Sequence, residues 1–418
     1  LECNVVKAFW DLLPSRIGQR ATPGLVRKLR NRLQRSRLST RSVRSISGTR
    51  RLFIDLAVIS RHDAGTGIQR VVRALARSLN EENPDQWDIC FVAADRRRPY
   101  HVIAWPNADK IVSPVEMTAK PGDIFLGLDF SLDTIRRYRH QLSQFQHMGG
   151  SLWFLIYDLL PAERPDWFSP NNVLRYKVWL DTIAALAEGF LCISDQTEED
   201  LRRMLATRYG LQEGYHTSVV PMGHDIRESL LDPASAACDI PVRFDTASPF
   251  SLMVGTLEPR KGHADILAAF SELWRQGVDD RLVLVGRMGW AVEGLRDAIR
   301  THPEHGDKLL WFDDVGDLEL QRIYQACQGV IIASHAEGFG LPLIEALGHD
   351  KPVLARDLPI FRIHERLGVH YFPANGSATE IGACIRQWAE HVQGDRVRVI
   401  RPGTSWKLSA QSLLAAID

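Results

Sequence analysis

Short apolar runs of strand length recur along this chain, each followed by sequence of helical period, and they do so in two successive series. The first series is Leu52–Ile59, Ile124–Leu128, Leu152–Tyr157 and Phe190–Ile193. The second is Phe250–Val254, Leu282–Val285, Leu309–Phe312, Val330–Ala333 and Pro352–Ala355. Continuous rather than alternating apolar runs read as strands buried on both faces, the mark of parallel sheets covered by helices. After Leu52–Ile59, the residues Ile68, Val71, Val72, Leu75 and Leu79 fall on one helical face, so the chain opens as strand, glycine loop, helix. The whole pattern predicts the α/β class, with two doubly wound domains. A length of 418 residues agrees, because it exceeds what one hydrophobic core usually spans. The boundaries read as an arm over 1–50, a first domain over 51–227, a linker over 228–249 holding Pro233, Pro241 and Pro249, and a second domain over 250–418. In such sheets ligands bind beyond the carboxyl ends of the strands, so the loops there are where chemistry is sought.

Charge is unevenly placed. Residues 1–51 hold thirteen lysines and arginines against only Glu2 and Asp11, although the chain as a whole is neutral. Such an arm suits an anionic membrane surface, a contact with its own protein or an oligomer, or nucleic acid, in that order of expectation. The six cysteines are scattered without metal-ligand spacing, which reads as reduced core thiols. No apolar run of membrane-spanning length occurs, and the first residues lack the order of a secretory signal. The expected compartment is therefore the cytoplasm.

One loop concentrates the chemistry. After Val330–Ser334 comes His335-Ala336-Glu337-Gly338-Phe339-Gly340-Leu341-Pro342-Leu343-Ile344-Glu345. Two glycines allow close approach of a ligand, and Pro342 suits the first turn of a helix. The free amides at that helix start form a site for a diphosphate. Glu345 would lie near the end of the first turn, within reach of a diol such as ribose, and Glu337 would face the group beyond the phosphates. The plain alternative is a tight turn with two surface acids. Elsewhere, Arg260-Lys261 is by itself equally a solvated basic turn.

Together these residues resemble a known family. Two glutamates enclosing Gly-Phe-Gly-Leu-Pro are similar to the signature of the retaining GT-B glycosyltransferases often called family 4. Val254-Gly255-Thr256-Leu257-Glu258-Pro259-Arg260-Lys261-Gly262 resembles that group's phosphate-clamping loop. The resemblance runs from about Leu52 onward, is strongest in the second half, and leaves the arm outside. It implies two Rossmann-like domains facing across a cleft, with Arg260 and Lys261 holding the donor diphosphate and Glu337 touching the donor sugar. Glu345 would then bind ribose, and Gly338, Phe339, Gly340 and Leu341 would present amides to phosphate and sugar oxygens. Many members have Arg where this chain has Thr256, so the clamp rests on the two cations that follow.

The first half is less regular. Tyr157-Asp158-Leu159-Leu160-Pro161 resembles the family's His-Asp-leucine-proline segment with Tyr157 in the histidine's place. Tyr157 and Asp158 are thereby candidates for contacts with the acceptor, or alternatively a strand-end pair capping the next segment. Gly65-Thr66-Gly67-Ile68-Gln69-Arg70 is a G-x-G loop with Arg70 where a dinucleotide fingerprint has its third glycine. By resemblance it is the acceptor-side glycine loop. Arg287–Trp290 would line the nucleotide pocket and Val315 would meet the base through its backbone, or both are ordinary loops.

No metal-ligand pattern is present, so neither metal nor cofactor is expected, fixed cations and amides standing in for the ion. The resemblance to bacterial O-antigen and exopolysaccharide mannosyl- or rhamnosyltransferases implies retaining transfer of a sugar, mannose from GDP-mannose being favoured, to a glycan or lipid-linked acceptor. That acceptor would give the basic arm a purpose at the inner leaflet, and no nucleic-acid partner is expected. A non-catalytic GT-B scaffold is the rival, and it has no need to keep both glutamates together with Arg260 and Lys261.

Overall fold

The computed structural model describes residues 22–41, 49–63, 65–82, 87–106, 115–224 and 243–418. Two compact units result: the first ends at Gly223 but takes back Trp406–Asp418, and the second runs from His224 to Ser405.

In the first unit, helix α1 (Pro23–Arg41) precedes β1 (Arg50–Asp55), α2 (Gly67–Glu82), β2 (Trp87–Ala93), β3 (His101–Val102) and β4 (Ile124–Gly127). There follow α3 (Leu132–Arg137), α4 (Arg139–His147), β5 (Ser151–Ile156), α5 (Pro170–Leu186), β6 (Gly189–Cys192), α6 (Asp195–Tyr209) and β7 (His216–Val219). The strand order is β3-β2-β1-β4-β5-β6-β7, parallel throughout except for the β2–β3 pair. Leu52 faces Ile124 and Phe53 faces Phe125 across the β1–β4 seam. These runs are apolar because helices cover both faces: Phe53, Phe125, Phe145, Phe154 and Phe190 are all buried.

The expected strand over Leu52–Ile59 stops earlier, at Asp55. The buried Asp55 carboxylate accepts the Ala57 amide at 2.9 Å and turns the backbone out of the ladder. Strands β2 and β7 escape the apolar criterion because Asp88 and the polar edge residues His216, Thr217 and Ser218 interrupt it.

The arm is corrected in part. Over its described residues, α1 belongs to the first unit, packing on α5 and α6. Val26 and Leu29 are buried in the core. Arg30 is buried too, its guanidinium donating to the carbonyls of Ala184 at 2.9 Å and Gly214 at 2.6 Å. Arg50 and Arg51 are structural as well: Arg50 pairs with Asp418 and lies over Trp87, and Arg51 forks onto Asp123. These bases satisfy backbone and carboxylate groups of their own domain, while Arg27, Lys28 and Arg32 remain exposed. The rest of the arm, Cys3, Cys238 and the linker as far as Val242 lie outside the described residues.

The second unit holds β8 (Phe250–Val254), α7 (His263–Arg275), β9 (Arg281–Val285), α8 (Glu293–Arg300), β10 (Leu309–Phe312) and α9 (Asp317–Ala326). It continues with β11 (Gly329–Ile332), α10 (Leu341–Gly348), β12 (Val353–Arg356), β13 (Val369–Phe372) and α11 (Ala378–Gln393). The sheet is wholly parallel, ordered β10-β9-β8-β11-β12-β13. Two boundaries differ from the expected ones. Phe244, placed in the linker, stacks on Phe312 and meets Phe250 edge-on, so it joins the core of this unit. The final helix α12 (Trp406–Ile417), placed in the second domain, packs instead against α2 of the first, burying Trp406, Leu413 and Leu414. No helix among the described residues is long and apolar enough to cross a membrane.

Candidate active site

The loops after β8 and β11 meet at the carboxyl edge of the second sheet, and backbone contacts fix their approach. The His335 amide donates to the Arg260 carbonyl at 2.7 Å. Gly262, at φ +70°, lies against β11: a Cβ there would sit 2.1 Å from the Ala333 carbonyl oxygen. Only glycine tolerates both the left-handed backbone and that contact.

This junction brings four charged side chains together. Glu337 Oε1 accepts the Ser334 hydroxyl at 2.6 Å and pairs with the Lys261 ammonium. Its Oε2 lies 3.4 Å from Arg260 Nη1, and Arg260 Nε donates to Glu258 at 3.0 Å. The side chains of Arg260, Lys261 and Glu337 are only 16%, 13% and 11% exposed. Burial would raise the Glu337 carboxyl, but the Lys261 and Arg260 cations, with the Ser334 hydroxyl, outweigh it and hold the group at about 2. The glutamate is therefore ionised at any ordinary pH, between two cations. Ser334 is the member of this cluster that the spacing did not single out.

Helix α10 begins as expected. Gly340, at φ +89°, is its left-handed N-cap, and Pro342 stands in the first turn. Gly338 is buried, and Phe339 is half-buried and edge-on to His364 at 6.1 Å. Glu345 lies just past the first turn and is only 2% exposed. Its Oε2 accepts the Tyr324 hydroxyl at 3.1 Å, and Tyr324 stacks on His349 with ring centroids 5.0 Å apart. The carboxylate is thus supported from α9, a contact no local motif announces.

Thr256 abuts the next loop: a Cβ on Gly289 would lie 2.9 Å from its methyl group. The Gly289 amide donates to the Leu257 carbonyl at 2.9 Å, binding Arg287–Trp290 to the clamp loop. Arg287 and Trp290 are exposed. Val315 is half-buried against the core around Phe250.

In the first unit, Thr66 and Gln69 form a helix cap. Gln69 Oε1 receives the Thr66 amide at 3.2 Å, the Gln69 amide points back at the Thr66 hydroxyl at 3.4 Å, and Gln69 Nε2 donates to the His62 carbonyl at 2.7 Å. Gly65 adopts φ +66°, Gly67 is the first residue of α2, and the half-buried Arg70 donates its amide to the Thr66 carbonyl at 2.9 Å. Tyr157 is buried, and its hydroxyl donates to the Leu128 carbonyl at 2.8 Å. Burial, then the nearby Asp129, pushes its phenol far up. A hydrogen bond from Tyr157 to a substrate requires breaking that contact. Asp158 Oδ1 accepts the Leu160 amide at 3.1 Å, and the Asp158 carbonyl accepts the Tyr176 hydroxyl at 2.7 Å. Of the pair, only Asp158 contacts the segment that follows, while Tyr157 bonds back to Leu128 at the end of β4. No cluster of three or more metal-ligating side chains occurs among the described residues.

Residues 240–401, which contain Arg260, Lys261 and Glu337, match the model of the family described as glycosyl transferases group 1. The chain carries a glycosyl transferases group 1 domain. Around this domain, 387 residues are 31% identical to the serotype-specific mannosyltransferase WbdA of Escherichia coli, covering 88% of this chain and 45% of that protein. The chain thus spans about half the length of the curated relatives it matches. Among solved structures, the sucrose-phosphate synthase of Thermosynechococcus elongatus superposes with TM-score 0.56 at 16% identity, over 88% of this chain and 95% of that one. HepE of Anabaena, in a complex with UDP-glucose, gives 0.53 at 15% identity, over 88% and 94%. These likenesses establish the GT-B fold, in which the group 1 domain is the second Rossmann-like unit.

Proposed function

We propose that the chain is a retaining, metal-independent glycosyltransferase that moves mannose from a nucleotide-sugar donor, GDP-mannose in the first instance, to a glycan or lipid-linked acceptor of bacterial surface polysaccharide. The observation that carries the reading is the Glu337 carboxylate held ionised between Lys261 and Arg260 at a loop junction within the group 1 domain. The names of the curated mannosyltransferase relatives support the choice of sugar.

In the proposed reaction, the donor diphosphate takes the cations that Glu337 now neutralises, and the Gly338–Leu341 amides receive its remaining oxygens. Glu337 is then released to accept hydroxyls of the donor sugar, and Glu345 receives the ribose. As the anomeric carbon–oxygen bond breaks, negative charge grows on the departing diphosphate, where fixed cations and a helix start stabilise it without reorganising. The acceptor oxygen bonds to the anomeric carbon on the face the diphosphate leaves, and its proton passes to a phosphate oxygen. Thr256 and Val315 flank the nucleotide; Asp158 and the Gly65–Arg70 loop belong to the acceptor side, with Tyr157 as packing behind Asp158. Exposed Arg27, Lys28 and Arg32 of α1 are assigned to the inner face of the membrane.

The test is donor turnover on a panel of nucleotide sugars, for wild type and for Glu337→Gln and Lys261→Ala, with the anomeric configuration of the product read by NMR and the assay repeated in EDTA. Transfer with retention, undiminished by EDTA and lost in both variants, is the expected result. Failure of the wild type to bind or turn over any nucleotide sugar sinks the proposal. Deleting residues 1–50 is not a clean test of membrane contact, because α1 is part of the core; Arg27→Glu/Lys28→Glu/Arg32→Glu in liposome co-sedimentation is, and unchanged binding removes that assignment.

A further inference from the structure

The first unit contains a cavity of about 560 Å³ at the carboxyl ends of β2, β1 and β4. Strands β1 and β4 are neighbours between which the chain order reverses, the crevice where doubly wound sheets bind their ligands. Five arginines from four segments line it: Arg61 after β1, Arg96 after β2, Arg136 and Arg137 on α3, and Arg175 on α5. Ala57, Val58 and Phe130 supply an apolar side.

The carboxylates on the wall do not balance these charges. Asp133 is shared, with Oδ2 2.8 Å from Arg175 and Oδ1 3.6 Å from the largely buried Arg136. Asp95 turns one oxygen to the backbone amides of Arg97 at 2.6 Å and Arg98 at 2.9 Å. Arg137 Nε donates to the Arg96 carbonyl at 3.3 Å, a partner without charge. Beneath the floor, Asp129 accepts the amides of Val58, Ile59 and Phe130. Asp55 beside it is fully buried, lies behind the wall rather than on it, and accepts the Ala57 amide and the Tyr100 hydroxyl; burial followed by the Asp129 charge pushes its carboxyl well up.

A recess with guanidinium groups in excess is complementary to an anion, and several planar forks converging on one volume match the oxygens of a phosphoryl group. A carboxylate brings a single charge and fewer acceptor oxygens. We infer that this pocket binds a phosphoryl group carried by the acceptor, either a phosphate ester on the glycan or the diphosphate of a lipid-linked sugar. The inference rests on the glycosyltransferase reading and names the chemical class of its acceptor.

Steady-state transfer with the full chain tests it, using three acceptors: a neutral oligosaccharide, the same oligosaccharide with a phosphate monoester, and a short prenyl-diphosphate-linked sugar. Pyrophosphate titrated calorimetrically gives a readout independent of turnover. The variants are Arg96→Gln/Arg137→Gln, both exposed and safe for folding, and Arg175→Gln. Losing charge-assisted hydrogen bonds is expected to raise KM for a phosphoryl acceptor about tenfold or more, leaving kcat and the donor KM unchanged. The neutral acceptor should be poor on wild type and insensitive to the variants. Which phosphoryl acceptor has the lower KM identifies the source. Equal KM for neutral and phosphorylated acceptors, or variants that weaken both alike, overturns the inference. If no acceptor receives sugar, the function proposal fails by itself and the titration decides the pocket: binding weakened in the variants supports it, and no binding to wild type overturns it.

Discussion

The loop after β8 and the loop after β1 occupy the same place in two similar units, yet they are built on opposite plans. In the second unit, Gly262 is pressed against the Ala333 carbonyl, and the charges that follow from this contact come from two contiguous motifs. In the first, Gly65 has open space around it, the loop closes on its own helix through Thr66 and Gln69, and the cationic pocket nearby draws on four separate segments. One site is held rigid by backbone contact between loops, the other by helix caps and long side chains. A fixed loop junction suits a ligand part that never changes, such as a nucleoside diphosphate; a side-chain-lined recess suits the part that differs between acceptors.

The largest expected effect strikes the rigid site. In the proposed reaction Lys261→Ala removes a fixed cation from the departing diphosphate, and turnover is expected to fall by about 10²–10³. A loss confined to donor KM would show that the ammonium serves ground-state binding alone. The two left-handed glycines come next. Gly262→Ala forces the clamp loop off β11 and is expected to lower stability by about 3 kcal/mol, whereas Gly65→Ala meets no atom within 4 Å and costs about 1 kcal/mol, the left-handed penalty alone. Thermal unfolding of the two variants measures the gap, and equal melting temperatures would erase the contrast between the loops.

A pH series sharpens the electrostatic half of the comparison. The Glu337 carboxyl is lowered from 4.5 to about 2 in the folded chain. Its contribution is therefore complete above about 4.5 and is lost as pH falls toward 2. The melting temperature of Glu337→Gln should lie below that of wild type at neutral pH and converge with it across that acid window. A gap unchanged down to pH 2 would place the stabilisation elsewhere. The smallest effect belongs to the loop after β1: Thr66→Ala removes a cap worth about 1 kcal/mol, read as a shift in the denaturant midpoint with donor affinity unaltered.

Legibility in the sequence follows the same division. Strands buried on both faces announce themselves, and the pairing of Glu337 with Arg260 and Lys261 follows from two local motifs at the ends of adjacent strands. Ser334 and Tyr324 escaped because a hydroxyl that supports a carboxylate leaves no periodic or spacing signal. The pocket around Arg136 and Arg175 escaped for a stronger reason: its residues lie on segments that only the folded sheet brings together. The basic arm misled because charge count does not separate an arginine facing solvent from one such as Arg30, which is buried and donates to carbonyls. Edge strand β7 was hidden by its own solvation.

Helix α12 gives the chain an unusual itinerary. The second unit is an insertion in the first, entered after Gly223 and left before Trp406, and Gly223 lies against Trp406 where the path closes. On the ribosome, the first unit has to wait through the synthesis of the whole second one before its last helix arrives to cover α2. An exchange of the second unit between relatives consequently needs two cuts, one on either side of that closure, and a fragment stopped at Ser405 leaves an apolar face of the first unit bare.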